Sequence, residues 1–205
     1  GKKIIFKGKD HEIFDLDKWA TYFAIIDLTS SLHGSISKSV KLYYNPVNSK
    51  FEPIGFDAHY QKNFFQDFLI LDFLDQNNAN CSYICEEKEW FLKFLTQGDF
   101  ILNNKFIKIY LEKLKLVSSE KFINQFFNEN YKEIEFYNSQ LLSDKRKTDK
   151  MFYKGMGDYL FNKNYLNKKA AYIRSKLKKI NLLENLEANL TEKKVKFHNN
   201  NRFFL

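Results

Sequence analysis

The sequence predicts a mainly helical α+β protein, with one short β-hairpin near its start and a helical block after it. Three observations carry that expectation. Apolar residues recur at i, i+3, i+4 and i+7 over several long stretches, the spacing of a helix face. Two strand-like runs flank turn chemistry at 45–49. The 205 residues include only 7 Gly and 2 Pro, too few for collagen or a low-complexity linker, and the 44% hydrophobic content excludes a disordered chain.

The first helix is predicted to start after Asp15, an N-cap residue with Asp17 in the first turn. Trp19, Tyr22, Phe23 and Ile26 share one face, and Gly34 supplies a C-cap, so the helix is expected to end near His33-Gly34. Asp27 falls on the Trp19/Phe23 stripe, where a carboxylate needs a partner. The hairpin follows: Val40–Tyr44, a turn over Asn45-Pro46-Val47-Asn48-Ser49, and a return strand over Phe51–Phe56. Pro53 marks an edge position and Gly55 a bulge or a close backbone approach. Asp57 stands at the exit of the strand, with His59 two residues on.

Beyond Asn63 the pattern is helical. The run Phe64–Leu74 is apolar and expected to be buried, and helices are predicted over Glu87–Leu95 and Lys105–Leu116, separated by Gly98. In the second of these, Ile107, Tyr110, Leu111 and Leu114 share a face. Ser118 or Ser119 caps a further helix whose stripe of Ile123, Phe126, Phe127, Ile134 and Leu141 continues to about Leu142. A charged linker over Asp144–Asp149, a helix over Asp149–Phe161, a last helix from Tyr165 to about Leu186 and a strand-like Lys194–Phe197 complete the chain. On this reading a helix–loop–hairpin segment spans 1–60, the helical block 61–188, and a further β segment begins in 189–205. The core is expected to hold Trp19, Phe23, Ile26, Leu42, Ile54, Phe68, Leu111, Phe126 and Ile134.

Charge is split between the halves. Residues 1–104 carry a net −3 and residues 105–205 a net +11. A basic half suits nucleic acid, anionic lipid or an acidic protein. The plainer reading is that the lysines occupy the wet faces of helices. Nucleic acid is the less expected partner, because the aromatics sit at helical core spacing and are not interleaved with Arg on a strand. No apolar run approaches the ~18 residues a membrane span needs. Two cysteines, Cys81 and Cys85, make no disulfide framework, and no second pair or nearby His completes a zinc site with them; they read as buried, inert thiols, with a disulfide or metal role as the alternative. Nucleophile-elbow, phosphate-loop and His-Glu-x-x-His motifs are all missing from the sequence.

What the sequence does contain is a helix, a polar loop over His33–Ser39, a hairpin and a carboxylate, Asp57, at the hairpin's exit. A hairpin brings its two ends together, so the loop before it and the Asp after it meet. Protein kinases use such a juxtaposition, with the Asp after the hairpin holding Mg²⁺ against phosphates. A strand-terminal Asp that merely caps a turn is the plain alternative.

These residues also carry a resemblance. Phe14-Asp15-Leu16-Asp17-Lys18-Trp19-Ala20, Ala24-Ile25-Ile26-Asp27-Leu28, His33-Gly34, Leu42-Tyr43-Tyr44-Asn45-Pro46 and Glu52-Pro53-Ile54-Gly55-Phe56-Asp57 resemble the CotH family of bacterial spore-coat and cell-surface kinase-like proteins. Phe106–Leu116 with Ser119-Glu120-Lys121-Phe122, and Ala171-Tyr172-Ile173-Arg174, are similar to that family's later helices. The resemblance covers most of 12–180 and is most specific over 14–57. It implies a protein-kinase-like C-lobe whose N-lobe precedes residue 1. It also implies ATP and Mg²⁺ or another divalent ion as cofactors, a Ser-bearing secreted or coat protein as substrate, and an extracellular or cell-surface setting. In these terms Asp57 is the metal ligand, Asp27 and His33 the catalytic candidates, and Lys38, Ser39 and His59 the cofactor-binding ones. Two positions depart from the family pattern. The catalytic-loop Asp would fall near Gly34, where this chain offers His33, and the metal-binding Asn near Ser39. Those departures keep a second reading open, a degenerate, non-catalytic binding module of the cell surface or spore coat. The start at Gly1 leads to the expectation of a truncated protein that is inactive alone.

Overall fold

The computed structural model describes residues 13–57, 67–74, 91, 105–144 and 161–192. Among these the fold is mainly helical, with one two-stranded antiparallel hairpin and five α-helices. The helices are α1 (Leu16–Thr29), α2 (Lys105–Val117), α3 (Glu120–Glu129), α4 (Tyr131–Asp144) and α5 (Lys163–Glu192). The strands are β1 (Lys41–Asn45) and β2 (Lys50–Ile54), and short 3₁₀ turns cover Leu32–Ser35 and Ile70–Leu74. The expected helices over 87–95 and 149–161, the linker at 144–149, the strand at 194–197, and His59, Cys81 and Cys85 lie wholly or almost wholly outside the described residues.

Helix α1 begins as its composition dictates. The Asp15 carboxylate accepts the Lys18 N–H at 3.2 Å, and Asp17 meets the positive end of the helix dipole. It ends earlier than the glycine suggested. Ser30, at φ 52°, is the left-handed cap: its N–H bonds to the Asp27 carbonyl while the Ser31 N–H reaches the Ile26 carbonyl at 3.0 Å. A serine is tolerated there because its hydroxyl lies 2.6 Å from the Tyr165 hydroxyl in a buried contact with α5. Gly34, the expected cap, sits buried in the following 3₁₀ turn instead.

Helix α1 is the hub of the core. Trp19, Phe23 and Ile26 are buried, and Phe23 meets Trp19, Phe91, Phe106 and Tyr110 ring to ring, with centroids 5.6–6.5 Å apart. Helix α2 packs along α1 through Phe106, Ile107, Tyr110 and Leu114, and α5 closes the other side with Tyr165, Leu166, Ala170 and Ile173. The long stripe expected from Ser119 to Leu142 is two helices. Ser119 caps α3, and at Asn130 both the backbone N–H and the side-chain amide turn back to the Phe126 carbonyl, which ends it. In consequence Phe126 and Ile134 are only half-buried. Leu42, Phe68 and Leu111 are also half-buried against the core, and Ile54 is exposed.

The hairpin pairs Lys41 with Ile54, Tyr43 with Glu52 and Asn45 with Lys50 in unbroken register. Gly55 therefore marks no bulge, and a Cβ placed on it would touch nothing within 4 Å, so the expected close approach is not there either. The Phe51 carbonyl accepts the Asp15 N–H and the Trp19 indole N–H, both at 3.1 Å, so Phe51 turns its backbone away from β1. Pro53, two residues on, faces the same way, and its missing N–H costs the ladder nothing.

The packing makes Phe23 an expensive ring to delete. Phe23→Ala is expected to lower stability by about 3–5 kcal/mol, whereas Phe136→Ala, on the exposed side of α4, should stay within about 0.5 kcal/mol. Urea melts followed by circular dichroism measure both.

Candidate functional site at the hairpin base

The segment between α1 and β1 is short, yet its backbone is well tied. The Tyr22 hydroxyl, whose pKa burial pushes up to about 12, donates to the Gly34 carbonyl at 2.8 Å. The Ser35 hydroxyl donates to the Leu32 carbonyl at 2.8 Å, and the Val40 N–H reaches the Ile36 carbonyl at 2.9 Å. These bonds fold 32–39 into a compact corner that presents His33 and Ser39 toward the exit of β2.

Asp57 arrives there from β2 in a left-handed backbone conformation, φ 51°, one that Asp tolerates better than most residues. Its carboxylate Oδ2 lies 3.2 Å from His33 Nδ1 and accepts the Ser39 hydroxyl at 3.4 Å. Ser39 Oγ and His33 Nδ1 are 3.5 Å apart, and Nδ1 is also 3.2 Å from the Asp57 carbonyl oxygen. Ser39 is buried, His33 half-buried, and the Asp57 side chain stays 44% exposed. The hairpin thus joins three of the residues singled out from sequence. Lys38 stands exposed on the same corner.

The cluster is not a nucleophilic triad, although it contains Ser, His and Asp. A triad needs the imidazole to face the hydroxyl with one nitrogen and the carboxylate with the other. Here both partners meet Nδ1.

Asp27 is not part of this cluster. Helix α1 stays intact through Thr29, so the unwinding that would bring its carboxylate to the hairpin base does not occur, and the catalytic role expected of it finds no place there. Asp27 is buried, taking hydrogen bonds from the Tyr110 hydroxyl and from the Ile70 N–H at 3.0 Å. Burial pushes its carboxyl up to about 7, against the pull of the Lys169 ammonium and both hydrogen bonds. Lys169 is itself buried and donates to the Phe68 carbonyl at 2.7 Å; burial draws it down to about 8, opposed by Asp27 and Asp72. Asp72 accepts the Leu69 N–H at 2.8 Å and pairs with Lys176 at 3.0 Å, and the Tyr172 hydroxyl donates to the Asp67 carbonyl at 2.6 Å. This second constellation pins 67–73 between α1, α2 and α5. Sequence reasoning overlooked Lys169, although its spacing from Tyr165, Leu166 and Ile173 puts it on the buried face of α5.

No family model, curated protein or solved structure matches the chain. No helix among the described residues is long and apolar enough to cross a membrane.

The buried pair dictates a pH profile. From about pH 4 to 7 the folded chain keeps a proton on Asp27 that the unfolded chain, with its ordinary carboxyl near 3.8, has released; stability therefore falls as pH rises. From about pH 8 to 10.5 the unfolded chain keeps a proton that Lys169 has lost in the fold, and stability rises again. Each limb slopes by at most about 1.4 kcal/mol per pH unit. Urea titrations across this range should trace a minimum near pH 7–8. In Asp27→Asn the acid limb should vanish and the alkaline limb shift to lower pH, because Lys169 loses a counter-charge.

Proposed function

We propose that this chain is the helical lobe of a CotH-like, kinase-related phosphotransferase, with the hairpin base as the edge that faces a nucleotide's phosphates. The observation that carries this reading is the meeting of the 32–39 corner and Asp57 across the hairpin, a loop and a carboxylate brought together from 18 residues apart. Phosphoryl transfer asks a protein mainly for positioning and for charge next to the phosphates. An upstream lobe would hold the nucleotide. Lys38, exposed beside Ser39, supplies a cation for the phosphate oxygens, and the Ser39 hydroxyl a hydrogen bond. His33 is the group able to accept the proton of an incoming Ser hydroxyl from a secreted or coat protein.

The Mg²⁺ implied by the resemblance fits this corner poorly. Mg²⁺ takes oxygen donors in near-octahedral geometry. Here the three donors are an imidazole nitrogen, a neutral hydroxyl and one carboxylate oxygen. That mismatch, with Asp57 the one carboxylate bonded into the cluster among the described residues, favours a second reading in which the chain is a non-catalytic relative that binds a surface or coat protein.

A thermal melt separates the two. ATP at about 100 times its dissociation constant adds about 2.7 kcal/mol to the stability of a chain that binds it. Under the first reading ATP with Mg²⁺ or Mn²⁺ raises the melting temperature of a chain extended upstream to restore the nucleotide-holding lobe, and not of the same chain carrying Asp57→Ala. An equal rise in both proteins would overturn the placement of the phosphates at Asp57. No rise in either would leave the non-catalytic reading.

A further inference from the structure

Where α3 turns into α4, the start of α5 closes an open notch of about 680 Å³ that shares no residue with the hairpin base. We propose that this notch binds a saccharide, whose apolar ring face lies on aromatic side chains while its hydroxyls meet a polar rim of no net charge. The proposal is independent of the phosphotransfer reading and holds whether or not the chain binds a nucleotide.

The floor of the notch is aromatic and preformed. Phe127 and Phe161 stack with ring centres 5.6 Å apart and planes at 20°, and Phe126 meets Phe161 edge-on at 5.9 Å. Phe161 stands before α5, outside any helix, yet its backbone is held by one side chain. Its N–H donates to Asn138 Oδ1 at 3.0 Å, and its carbonyl accepts from the Asn138 amide at 3.1 Å. This clamp fixes the ring before a ligand arrives, which spares part of the ordering cost of binding. Phe161 nevertheless stays 37% exposed, and Tyr131, in the first turn of α4, 61% exposed. Flat apolar surface of this kind favours a partner with a flat apolar face of its own, and the C–H face of a pyranose ring is one.

The rim decides what the floor can hold. Glu135 and Lys163 are the ionic groups in the lining, and their charges cancel. An anion drawn to Lys163 meets Glu135, and a cation drawn to Glu135 meets Lys163, so a charged ligand gains little. A hydroxyl suits both, since it donates to the carboxylate and accepts from the ammonium. The side chains of Asn128, Tyr131 and Glu135 spend no polar group on any described residue. Asn162 uses its Oδ1 to cap α5, accepting the Asn164 N–H at 2.8 Å, and keeps its NH₂ group for a ligand. An apolar floor under a few convergent polar groups is the make-up of a small-molecule site. A saccharide brings hydroxyls around its whole perimeter together with bare C–H faces; an apolar peptide side chain brings the face without the perimeter.

The test is binding of maltose, cellobiose and N,N′-diacetylchitobiose to the full chain, read by saturation-transfer NMR and by titration calorimetry. At least one should bind, with its ring C–H protons the most strongly saturated because they lie on the aromatic floor. Tyr131→Ala should weaken that binding about five- to ten-fold, and Glu135→Ala about ten-fold. Both side chains are exposed and bonded to no described residue, so the melts of these variants should match the wild type. Phe136→Ala, which removes an exposed ring of α4 outside the notch, should leave binding unchanged. ATP should not displace the sugar. Retention on cellulose, chitin or starch that is lost in Tyr131→Ala identifies a polymeric glycan as the source of the ligand; binding of disaccharides alone identifies a soluble sugar. The proposal is overturned if no disaccharide or polymer binds at millimolar sugar, or if wild type and Tyr131→Ala bind equally. Displacement of the sugar by ATP, or uptake of N-acetylphenylalanine amide in place of sugars, would overturn it as well.

Discussion

A carboxylate on the packed face of a helix imposes conditions on everything around it. Asp27 lies on the face of α1 that also carries Trp19 and Phe23, so once that face is covered the carboxyl must find donors inside the protein. It finds them in three places far apart in sequence: the Tyr110 hydroxyl on α2, the Ile70 N–H in the second 3₁₀ turn, and the ammonium of Lys169 on α5, which acts through its charge. Helices slide easily along apolar faces, because leucine-like contacts are interchangeable. Hydrogen bonds to a buried carboxyl are not, and the one from Tyr110 sets the register of α2 on α1. Lys169, Tyr172 and Lys176 extend the same logic to Phe68, Asp67 and Asp72, so that irregular backbone crossing the core has partners for its polar groups.

The hairpin inherits its position from the same helix. Two strands alone are marginal in water. Here β2 gains what it lacks from α1, since the Phe51 carbonyl is taken by the backbone before the helix and by the Trp19 indole, while Phe14 packs edge-on to Trp19 and against Phe51. Tyr22, one residue before Phe23, reaches the Gly34 carbonyl from the next face of the helix. One element thus supports the core, the corner at 32–39 and the strand that leads to Asp57. The geometry of the polar cluster is a consequence of how α1 is packed.

Much of this was written locally in the sequence. Asp15 as a cap, the Trp19/Phe23/Ile26 stripe, the turn residues at 45–49 and the carboxylate at Asp57 each act over a few residues, and all could be read without knowing the fold. Two of the misreadings share a cause, a decisive partner distant in sequence. Gly34 looked like the helix end because glycine is intrinsically suited to a left-handed cap; Ser30 took the role because Tyr165, 135 residues away, satisfies its hydroxyl. Asn130 broke an apparently continuous stripe with its own side chain, a choice that periodicity cannot see. A lysine is ordinarily a surface residue, and Asp27, Asp72, Asp67 and the Phe68 carbonyl make the burial of Lys169 tolerable. At the hairpin base the meeting of loop and strand exit followed from topology, but the convergence of both Ser39 and Asp57 on one ring nitrogen of His33 did not.

The separation of Asp27 from its partners bears on the order in which the chain becomes a protein during synthesis. Tyr110 follows Asp27 by 83 residues. At about 5–20 residues per second, a ribosome takes roughly 4–17 s to deliver that hydroxyl, and longer still to deliver Lys169. Through that interval the apolar face of the α1 segment has neither Tyr110 nor Lys169 to meet its carboxyl. An ionised carboxylate on that face opposes its burial against a surface that offers no donor. The residue that registers the finished core therefore has its partners complete only once the last helix is made.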